Sequence, residues 1–304
     1  MVALAANLGV ALAKLVAASL TGSSAMLAEA FHALADTGNE VLLLIAQNRS
    51  ELPPDEEHPL GHGRAAYFWA LIASLGVFVT GALLSIREGV AELLHPGTSA
   101  SPTVAYVVLG VAVVLESVSL LRAYRQLRDE ATEFSREFLE YFDLSSDPIS
   151  RAVFAEDLAA VVGNLIAAAG IGLTQLTGSQ VPDALAAILI GLVLGYVAIQ
   201  LARRNGDFLI GRRAPANIHR RVMDIIAGRP GVRGVPEMLV TFLGPHRLWV
   251  MARVDIDDGL DGAGVKSLLR DIELRLARDS RYVARVDVTL WTGAAGGAPP
   301  AAGQ

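Results

Sequence analysis

AMLAEAFHALADTGNEVLLLIAQ, residues 25–47, is the most informative segment of the chain. It is apolar over a length that crosses a bilayer, yet it carries His32 and Asp36 near its middle. An ionisable side chain at that depth costs at least about 2.5–3.5 kcal/mol, so by default it marks an ion or proton path. The two residues are four apart, which places them on one helical face, one turn from each other. An imidazole and carboxylates that converge there indicate a site for a small divalent cation.

The rest of the composition places this stretch in a membrane protein. The chain has 304 residues, of which 53% are hydrophobic, and the apolar runs concentrate before residue 203. Each run is about 20 residues long, which is enough to cross a bilayer. We therefore predict an α-helical membrane protein with six transmembrane helices, at residues 2–21, 25–47, 66–85, 103–121, 149–173 and 182–201. The chain enters the first run at once, without a charged segment or a clear cleavage site, which predicts a membrane span rather than a signal peptide.

The distribution of arginine predicts the orientation of these helices. Eleven arginines lie between spans two and three, between spans four and five, and directly after span six, whereas the opposite loops contain only Arg87. Positively charged loops stay in the cytoplasm, so we expect both termini there. At about 1.5 Å per residue, His32 and Asp36 of span two and Asp157 of span five then lie near the middle of the membrane.

Span two carries more than one polar residue on the same face. Glu29, His32, Asp36 and Asn39 recur at spacings of three, four and three residues, which makes one continuous stripe. An alternative interpretation is a polar seam that joins helices through hydrogen bonds. Such a seam normally uses Ser, Thr or Asn, so the stripe favours an ion path.

Span five carries two adjacent carboxylates. Asp157 shares a face with Asn164, whereas Glu156 is turned about 100° away from that face. Lys14 in span one and Glu116 in span four are further charges inside apolar runs. We expect these two to neutralise each other as a structural pair.

The loop between spans two and three contains DEEHPLGHG, residues 55–63. Its Asp55, His58 and His62 have a spacing that suits closure around one cation. Two imidazoles and a carboxylate are ligands for Zn²⁺ or a similar divalent metal. This loop is a second candidate metal site.

The C-terminal part of the chain has the pattern of a small soluble domain. Residues 217–227 and 264–276 have the periodicity of helices, and residues 238–243, 247–256 and 283–290 have the pattern of strands. This αββαβ order predicts a cytoplasmic α+β domain, ferredoxin-like, over residues 203–292, after a transmembrane domain over residues 1–202. Residues 293–304 are rich in Gly, Ala and Pro and are predicted to be disordered. In the 122–145 segment, Phe134, Phe138 and Phe142 are four apart, which predicts an amphipathic packing helix that extends span four.

These features together resemble the cation diffusion facilitators, which export divalent metals from the cytoplasm in exchange for protons. The likeness includes SAMLAEAFH, residues 24–32, running into Asp36, and HPLGHGR, residues 58–64. It also includes six spans followed by an αββαβ domain, so it covers nearly the whole chain. By this resemblance, an accessory metal site of the family falls on Asp55, His58 and His62.

The resemblance also implies which residues bind the transported metal. His32 and Asp36 would supply half of the transport site, and Asp157 part of the other half. Many family members carry His or Asp four residues before that aspartate, but this chain has Val153. The sequence around Val153 looks like the branch related to animal zinc transporter nine. Glu156 would then replace the missing ligand, or the metal would be held by three residues and water.

These observations define the expected function. The mixed nitrogen and oxygen ligands favour Zn²⁺ as the transported substrate, with Fe²⁺, Co²⁺ and Mn²⁺ as alternatives, and His32 is suited to exchange a proton for metal. We expect a homodimer, formed through the C-terminal domain, in a bacterial inner membrane. The absence of cysteine excludes disulfides and thiolate ligands, and the net charge of −6 gives no reason to expect nucleic-acid binding. Nothing in the sequence suggests the nucleophile or substrate cleft of an enzyme, and a metal-binding scaffold or sensor without transport is the alternative function.

Overall fold

The computed structural model describes residues 2–96, 102–133, 137–279 and 282–293. The chain divides into two compact units, Met1–Leu209 and Ile210–Gln304. Two sequence predictions lie outside the described residues: the position of Phe134, and the predicted disordered tail beyond Gly293.

The first unit is helical. Its elements are α1 (Val2–Thr21), α2 (Ser24–Ser50), α3 (Ala65–Gly76), a π-helical segment (Val77–Leu83), α4 (Leu84–Leu94), α5 (Thr103–Glu133), α6 (Phe138–Leu144), α7 (Pro148–Thr177) and α8 (Val181–Ile210). The backbone stays in the right-handed helical region from α3 through the π-helical segment into α4, so these three pieces are one continuous helix. The last residue of α8 is the first residue of the second unit.

Four helical stretches are long and apolar enough to cross a membrane by their length and composition. They are Ala65–Leu94, Thr103–Thr132, Pro148–Thr177 and Val181–Ile210. The two other predicted spans, α1 and α2, are helical but are not among these four. The apolar part of α1, Asn7–Thr21, is shorter than the 18 residues required of a candidate span. In α2, the polar stripe lowers the mean hydropathy of the helix.

Capping residues set the ends of the helices that carry the candidate site. The Ser23 side chain accepts a hydrogen bond from the Met26 N–H at 3.0 Å and so begins α2. Asp147 accepts from the Ile149 N–H at 2.9 Å, and Pro148 occupies the first turn of α7. Helix α7 ends at Gly178, whose φ of 69° is left-handed. Both ends of α7 are therefore marked in the local sequence.

The helical unit is apolar outside and polar inside. Large apolar side chains such as Val16, Val107 and Leu192 are exposed, whereas charged and amide side chains such as Lys14 and Asn164 are fully buried. The interior is otherwise lined by small residues that allow helices to approach closely. A Cβ on Gly191 of α8, for example, would lie 2.8 Å from the backbone oxygen of Ala82. Lipid in place of water around the unit accounts for this arrangement.

The second unit is a three-stranded sheet with two helices. Its elements are α9 (Ala216–Ala227), β1 (Val232–Gly244), β2 (Arg247–Ile256), α10 (Gly262–Asp279) and β3 (Val283–Leu290). Strand β2 is central and pairs antiparallel with β1 and parallel with β3, which α10 connects. Helices α9 and α10 contact each other and the sheet, with Ile226, Val250 and Ile272 in the core. This element order is the αββαβ order expected from the sequence.

Candidate metal sites

The first candidate site lies along one face of α2. His32 Nε2 lies 3.4 Å from Asp36 Oδ2, one helical turn away, and the His32 side chain is almost completely buried. Helix α2 packs against α1, the π-helical segment, α3, α4 and α7, so this face is inside the helical unit. The structure therefore brings together the imidazole and the carboxylate that the spacing predicted.

Helix α7 contributes two carboxylates that face different neighbours. Asn39 Nδ2 of α2 donates a short hydrogen bond to Glu156 Oε2. Asp157 instead makes a side-chain hydrogen bond with Ser119 of α5. Adjacent helical residues point about 100° apart, so one carboxylate meets α2 and the other meets α5. The sequence analysis placed Glu156 off the face of Asp157, and its amide partner is Asn39.

These four side chains do not form one compact cluster. Within the described ranges, only Asp55, His58 and His62 form a group of three or more His, Asp or Glu whose ligand atoms lie within 4.8 Å of one another. In the helical unit, His32 and Asp36 lie together, and Glu156 and Asp157 of α7 interact electrostatically with Asp36 without forming such a group with it. A cation bound by all four requires their ligand atoms to come closer together.

Several polar atoms around this face are buried and have no hydrogen-bond partner in the described part of the chain. They are both ring nitrogens of His32 and one carboxylate oxygen each of Asp36, Glu156 and Asp157. A buried polar atom without a partner is costly, so most such atoms in proteins are satisfied. All of these atoms are nitrogen or oxygen donors to a divalent metal. The unsatisfied atoms therefore fit a bound cation.

The second candidate site is the loop between α2 and α3. His58 Nδ1 lies 3.3 Å from Asp55 Oδ1, His62 Nε2 lies 3.5 Å from Asp55 Oδ2, and the two imidazole centres are 4.2 Å apart. His62 Nδ1 lies 3.2 Å from the backbone oxygen of Pro53. When that nitrogen donates to the carbonyl, Nε2 keeps its lone pair toward Asp55, which is the usual arrangement of a metal-binding histidine. The loop thus has the donors and the orientation that a small divalent cation requires.

The charge of Asp55 is stabilised by the backbone. The His58 N–H donates to Asp55 Oδ1 at 2.6 Å, and this hydrogen bond lowers the pKa of the Asp55 carboxyl below its usual value. Asp55 therefore remains ionised to a lower pH than a free aspartate. Its other oxygen faces His62, so a negative ligand stays available at neutral pH.

The two histidines of the second unit belong to ordinary local contacts. His246, at φ 53°, lies in the turn between β1 and β2, with its ring 5.5 Å from that of Tyr282. His219 Nε2 lies 2.9 Å from Arg213 Nη2. Partial burial and this neighbouring guanidinium lower the pKa of His219. Neither residue belongs to a described group of three potential metal ligands.

Asp183, which was not predicted from the sequence, organises the start of α2. Its buried carboxylate accepts hydrogen bonds from the Ser23 hydroxyl at 2.7 Å, the Ser24 N–H at 2.6 Å and the Ala25 N–H at 3.3 Å. It lies in the first turn of α8, about 160 residues along the chain from its partners. No local sequence signal identifies an acceptor so far from the helix that it caps.

Comparisons with known proteins bear on the family. Residues 1–210 match the cation efflux transmembrane domain family. The proton-coupled zinc antiporter SLC30A9 of Xenopus laevis is 36% identical over 244 residues, which are 80% of this chain and 44% of that protein. The human SLC30A9 antiporter is 37% identical over 237 residues, 78% of this chain and 42% of that protein. This chain thus spans less than half the length of these vertebrate relatives.

A bacterial relative and a solved structure are more distant. The cation-efflux pump FieF of Serratia proteamaculans is 29% identical over 266 residues, 87% of this chain and 82% of that protein. The cadmium form of a MamM C-terminal domain aligns with 26% of this chain and 95% of its own at 17% identity, with a TM-score of 0.24. A structural likeness this weak supports no conclusion about this chain.

The prediction of a bacterial inner membrane is wrong by this comparison. The SLC30A9 relatives from frog, human, orangutan and mouse are all named as mitochondrial proteins. The orientation rule from arginine placement reports which side of a membrane a loop occupies, and it does not report which membrane. The sequence resemblance to the branch of zinc transporter nine agrees with these relatives. Over residues 1–210, the chain belongs to the cation efflux family.

Proposed function

We propose that this protein moves divalent metal cations, zinc in the first place, across a membrane in exchange for protons. The observation that carries the proposal is a set of buried nitrogen and oxygen atoms, on His32, Asp36, Glu156 and Asp157, that have no hydrogen-bond partner among the residues that the structure describes. The names of the relatives agree, because they describe a proton-coupled zinc antiporter and a cation-efflux pump. The SLC30A9 names also favour a mitochondrial membrane.

We propose that all six long helices of the first unit cross the membrane, with α1 and α2 included. Polar and charged side chains of α1 and α2 are buried, while the large apolar residues of α1 are exposed. A helix with this polarity is stable between other helices in lipid, even when its own mean hydropathy is low. Arginine placement then puts both termini and the Asp55 loop on the same side.

In this proposal, metal binds between α2 and α7. His32 and Asp36 supply a nitrogen and a carboxylate from α2, and Asp157 with Glu156 supplies oxygen from α7. A proton and a metal compete for the same lone pairs of imidazole and carboxylate, so protons that arrive from the far side displace the cation. In this proposal, α2 and α7 close around the site on one side of the membrane while they separate on the other, so the metal site opens to one side at a time.

The Asp55–His58–His62 loop would bind metal at the membrane surface, on the side from which the substrate enters. The three side chains already lie within coordination reach of one cation, and two of them are more than half exposed. A surface site of this kind raises the local metal concentration and is not on the crossing path. Loss of its histidines should therefore reduce transport only in part.

Transport into proteoliposomes tests the proposal. The purified chain is reconstituted, and uptake of Zn²⁺, Fe²⁺, Co²⁺ and Mn²⁺ is measured with and without a proton gradient. We expect Asp36→Ala and Asp157→Ala each to abolish uptake, because the bound cation loses countercharge, while Glu51→Ala at the exposed end of α2 keeps it. Wild-type uptake by both site variants at matched protein levels would rule out this site. Metal binding without any uptake by the wild type would instead favour a metal sensor or scaffold.

A separate pair of variants tests the role of Glu156. Glu156→Gln keeps the shape of the side chain and its contact with Asn39 but removes the charge. If Glu156 replaces the missing ligand at Val153, this variant has lower metal affinity or a shifted pH optimum, and Val153→His restores binding. An unchanged affinity and pH profile would remove Glu156 from the site and leave His32, Asp36 and Asp157 with water.

We also propose that two copies associate through the second unit. The sequence resemblance implies a homodimer, and the small sheet has exposed apolar side chains, among them Leu239 and Leu290 on its two edge strands. The molecular mass of the protein in detergent, by light scattering with subtraction of the micelle, tests this directly. A monomer at micromolar concentration would contradict it.

A further inference from the structure

Four polar side chains that are not among the proposed metal ligands meet inside the helical unit. Lys14 Nζ of α1 donates to Glu29 Oε2 of α2 at 2.8 Å and to Glu116 Oε1 of α5 at 3.0 Å. Asn164 Nδ2 of α7 donates a short hydrogen bond to the other oxygen of Glu116. The side chains of Lys14 and Glu29 are fully buried, and Asn164 is buried as well. We call this set the Lys14 cluster.

The charges of the Lys14 cluster do not balance. It contains one ammonium and two carboxylates, so it carries one excess negative charge when all three are ionised. An uncompensated charge in a buried site is strongly disfavoured, and the group takes up a proton instead. The expected pairing of Lys14 with Glu116 alone would have been neutral. Glu29 adds the second carboxylate.

The hydrogen bonds of the Lys14 cluster are also incomplete. Glu29 Oε1 and Asn164 Oδ1 are buried and have no hydrogen-bond partner among the described residues. Gly163 makes room for Glu29, because a Cβ at that position would collide with Glu29 Oε1. A purely structural ion pair gains from full satisfaction of its atoms, so an open carboxylate oxygen indicates a further ligand.

We propose that the Lys14 cluster is a proton-binding site distinct from the metal site. One proton binds to the carboxylates of Glu29 and Glu116, with Glu29 Oε1 as the open position, and makes the cluster neutral. The proton leaves when the charge nearby becomes more positive. The cluster would then carry part of the proton current of the antiport without binding metal itself.

The cluster is placed to respond to metal. Glu116 interacts electrostatically with Asp36 of α2 and with Asp157 of α7, and Lys14 interacts with His32 and Asp36. Asp36 also interacts electrostatically with Glu156 and Asp157 of α7, and Asp157 with Glu40 of α2. A divalent cation at His32 and Asp36 adds positive charge here, which favours the ionised form of the two glutamates and releases their proton. By linkage, the bound proton weakens metal binding by the same factor.

Only this coupling to metal rests on the proposed function, so the first test uses the metal-free protein. Infrared spectra of the full chain in detergent, recorded over a pH series, report the band of protonated carboxyl groups. We expect Glu29→Gln and Glu116→Gln each to remove about one protonated carboxyl at neutral pH, because the remaining glutamate balances Lys14 without a proton. Glu51→Gln, at the exposed end of α2, is the matched control and should leave the band unchanged.

Variants of Lys14 should change the band of protonated carboxyl groups in the opposite direction, which a misfolded protein is not expected to do. Lys14→Met should increase the protonated band, because both glutamates then need a proton to be neutral. The double variant Lys14→Met with Glu29→Gln leaves a single carboxyl and should keep the band at about the wild-type level. If the band is the same in wild type, Glu29→Gln and Glu116→Gln, or absent in the double variant, the Lys14 cluster binds no proton and the proposal is wrong.

The second test measures protons released on addition of Zn²⁺ in weak buffer. We expect Glu29→Gln to release about one proton fewer per metal than wild type with the same number of metals bound. An equal release would contradict the coupling. If instead the wild type neither binds nor transports Zn²⁺ while the infrared difference is present, the proposed transport fails and the proton site stands.

Discussion

Replacing Asp183 with alanine removes the carboxylate that joins the first turn of α2 to α8. This carboxylate accepts from the hydroxyl and the N–H of Ser24, at 3.1 and 2.6 Å, in addition to the Ser23 hydroxyl and the Ala25 N–H. The hydroxyls can turn to other acceptors, but the two backbone N–H groups cannot. Asp183→Ala therefore leaves two buried donors without an acceptor.

The expected cost follows from those two donors. Each buried backbone donor without a partner costs about 1–3 kcal/mol, so the pair costs about 2–6 kcal/mol. The lost anion at a helix N-terminus adds about 0.3–1 kcal/mol. Water that reaches this end of the helix reduces the total, so we expect the free energy of unfolding to fall by about 3–5 kcal/mol, within the range for breaking a buried charged contact.

Equilibrium unfolding of the purified chain in mixed micelles measures this change. Asp129→Ala, an exposed aspartate on α5, is the control and should change the free energy of unfolding by less than about 0.5 kcal/mol. Because α2 carries His32 and Asp36, we also expect weaker Zn²⁺ binding by Asp183→Ala. An Asp183→Ala protein as stable as the control would refute the view that Asp183 fixes the position of α2.

Three further predictions follow from single contacts. Gly163→Ala places a Cβ against Glu29 Oε1, so we expect α7 to move and stability to fall by about 1–3 kcal/mol, measured by thermal unfolding in detergent. Asp55→Asn removes the only negative ligand of the loop group, so a metal titration should give one site fewer per chain, and an unchanged count would show that the loop does not bind metal. The hydrogen bond from Arg229 lowers the pKa of Asp271 below its usual value. The ionised Asp271 therefore stabilises the second unit at neutral pH, and this stabilisation is lost as the pH falls through the lowered pKa. In Asp271→Asn, unfolding followed by tryptophan fluorescence should show a smaller decrease of stability between neutral and acidic pH.

The helices were predictable because their signals are local. Apolar runs of membrane length, the Ser23 cap and the Asp147–Pro148 start all lie within a few residues of the feature that they specify. Helix α5 continues to Glu133, past the apolar run that ends at residue 121, as the amphipathic pattern after that residue predicted, and it packs on α6 through Leu127 and Tyr141. Hydrophobicity alone marks where a helix leaves the membrane and does not mark where it ends.

Strand β1 shows the same limit in the second unit. It begins at Val232, six residues before the predicted strand, and includes Pro236. Proline has no N–H for a ladder hydrogen bond, so a proline disfavours the interior of a sheet. Two irregularities in register, between Val232 and Gly234 and between Gly234 and Glu237, together with the edge position of β1, accommodate it. An edge position is a property of the sheet, which the sequence of one strand does not contain.

The candidate site divides in the same way. The pair His32 and Asp36 was predictable because four residues make one helical turn. The partners of Asp183 and the contact of Lys14 with Glu29 were not, since each depends on how separate helices pack. The expected pair of Lys14 with Glu116 is present, but Glu29 is also part of it. The spacing of charged residues in the sequence predicts which face of a helix they occupy. Their partners on other helices depend on how the helices pack.

Position 153 shows how packing changes the interpretation of a missing ligand. Val153 lies beside an apolar cluster that includes Leu43 and Ala152, so there it fills space between helices. The residue of α7 that meets α2 through a polar contact is Glu156, which is held by Asn39. That contact occupies one oxygen of Glu156 and leaves the other buried and open. Glu156, three residues further along α7, therefore presents a carboxylate to α2, which supports the proposal that it replaces a ligand at position 153.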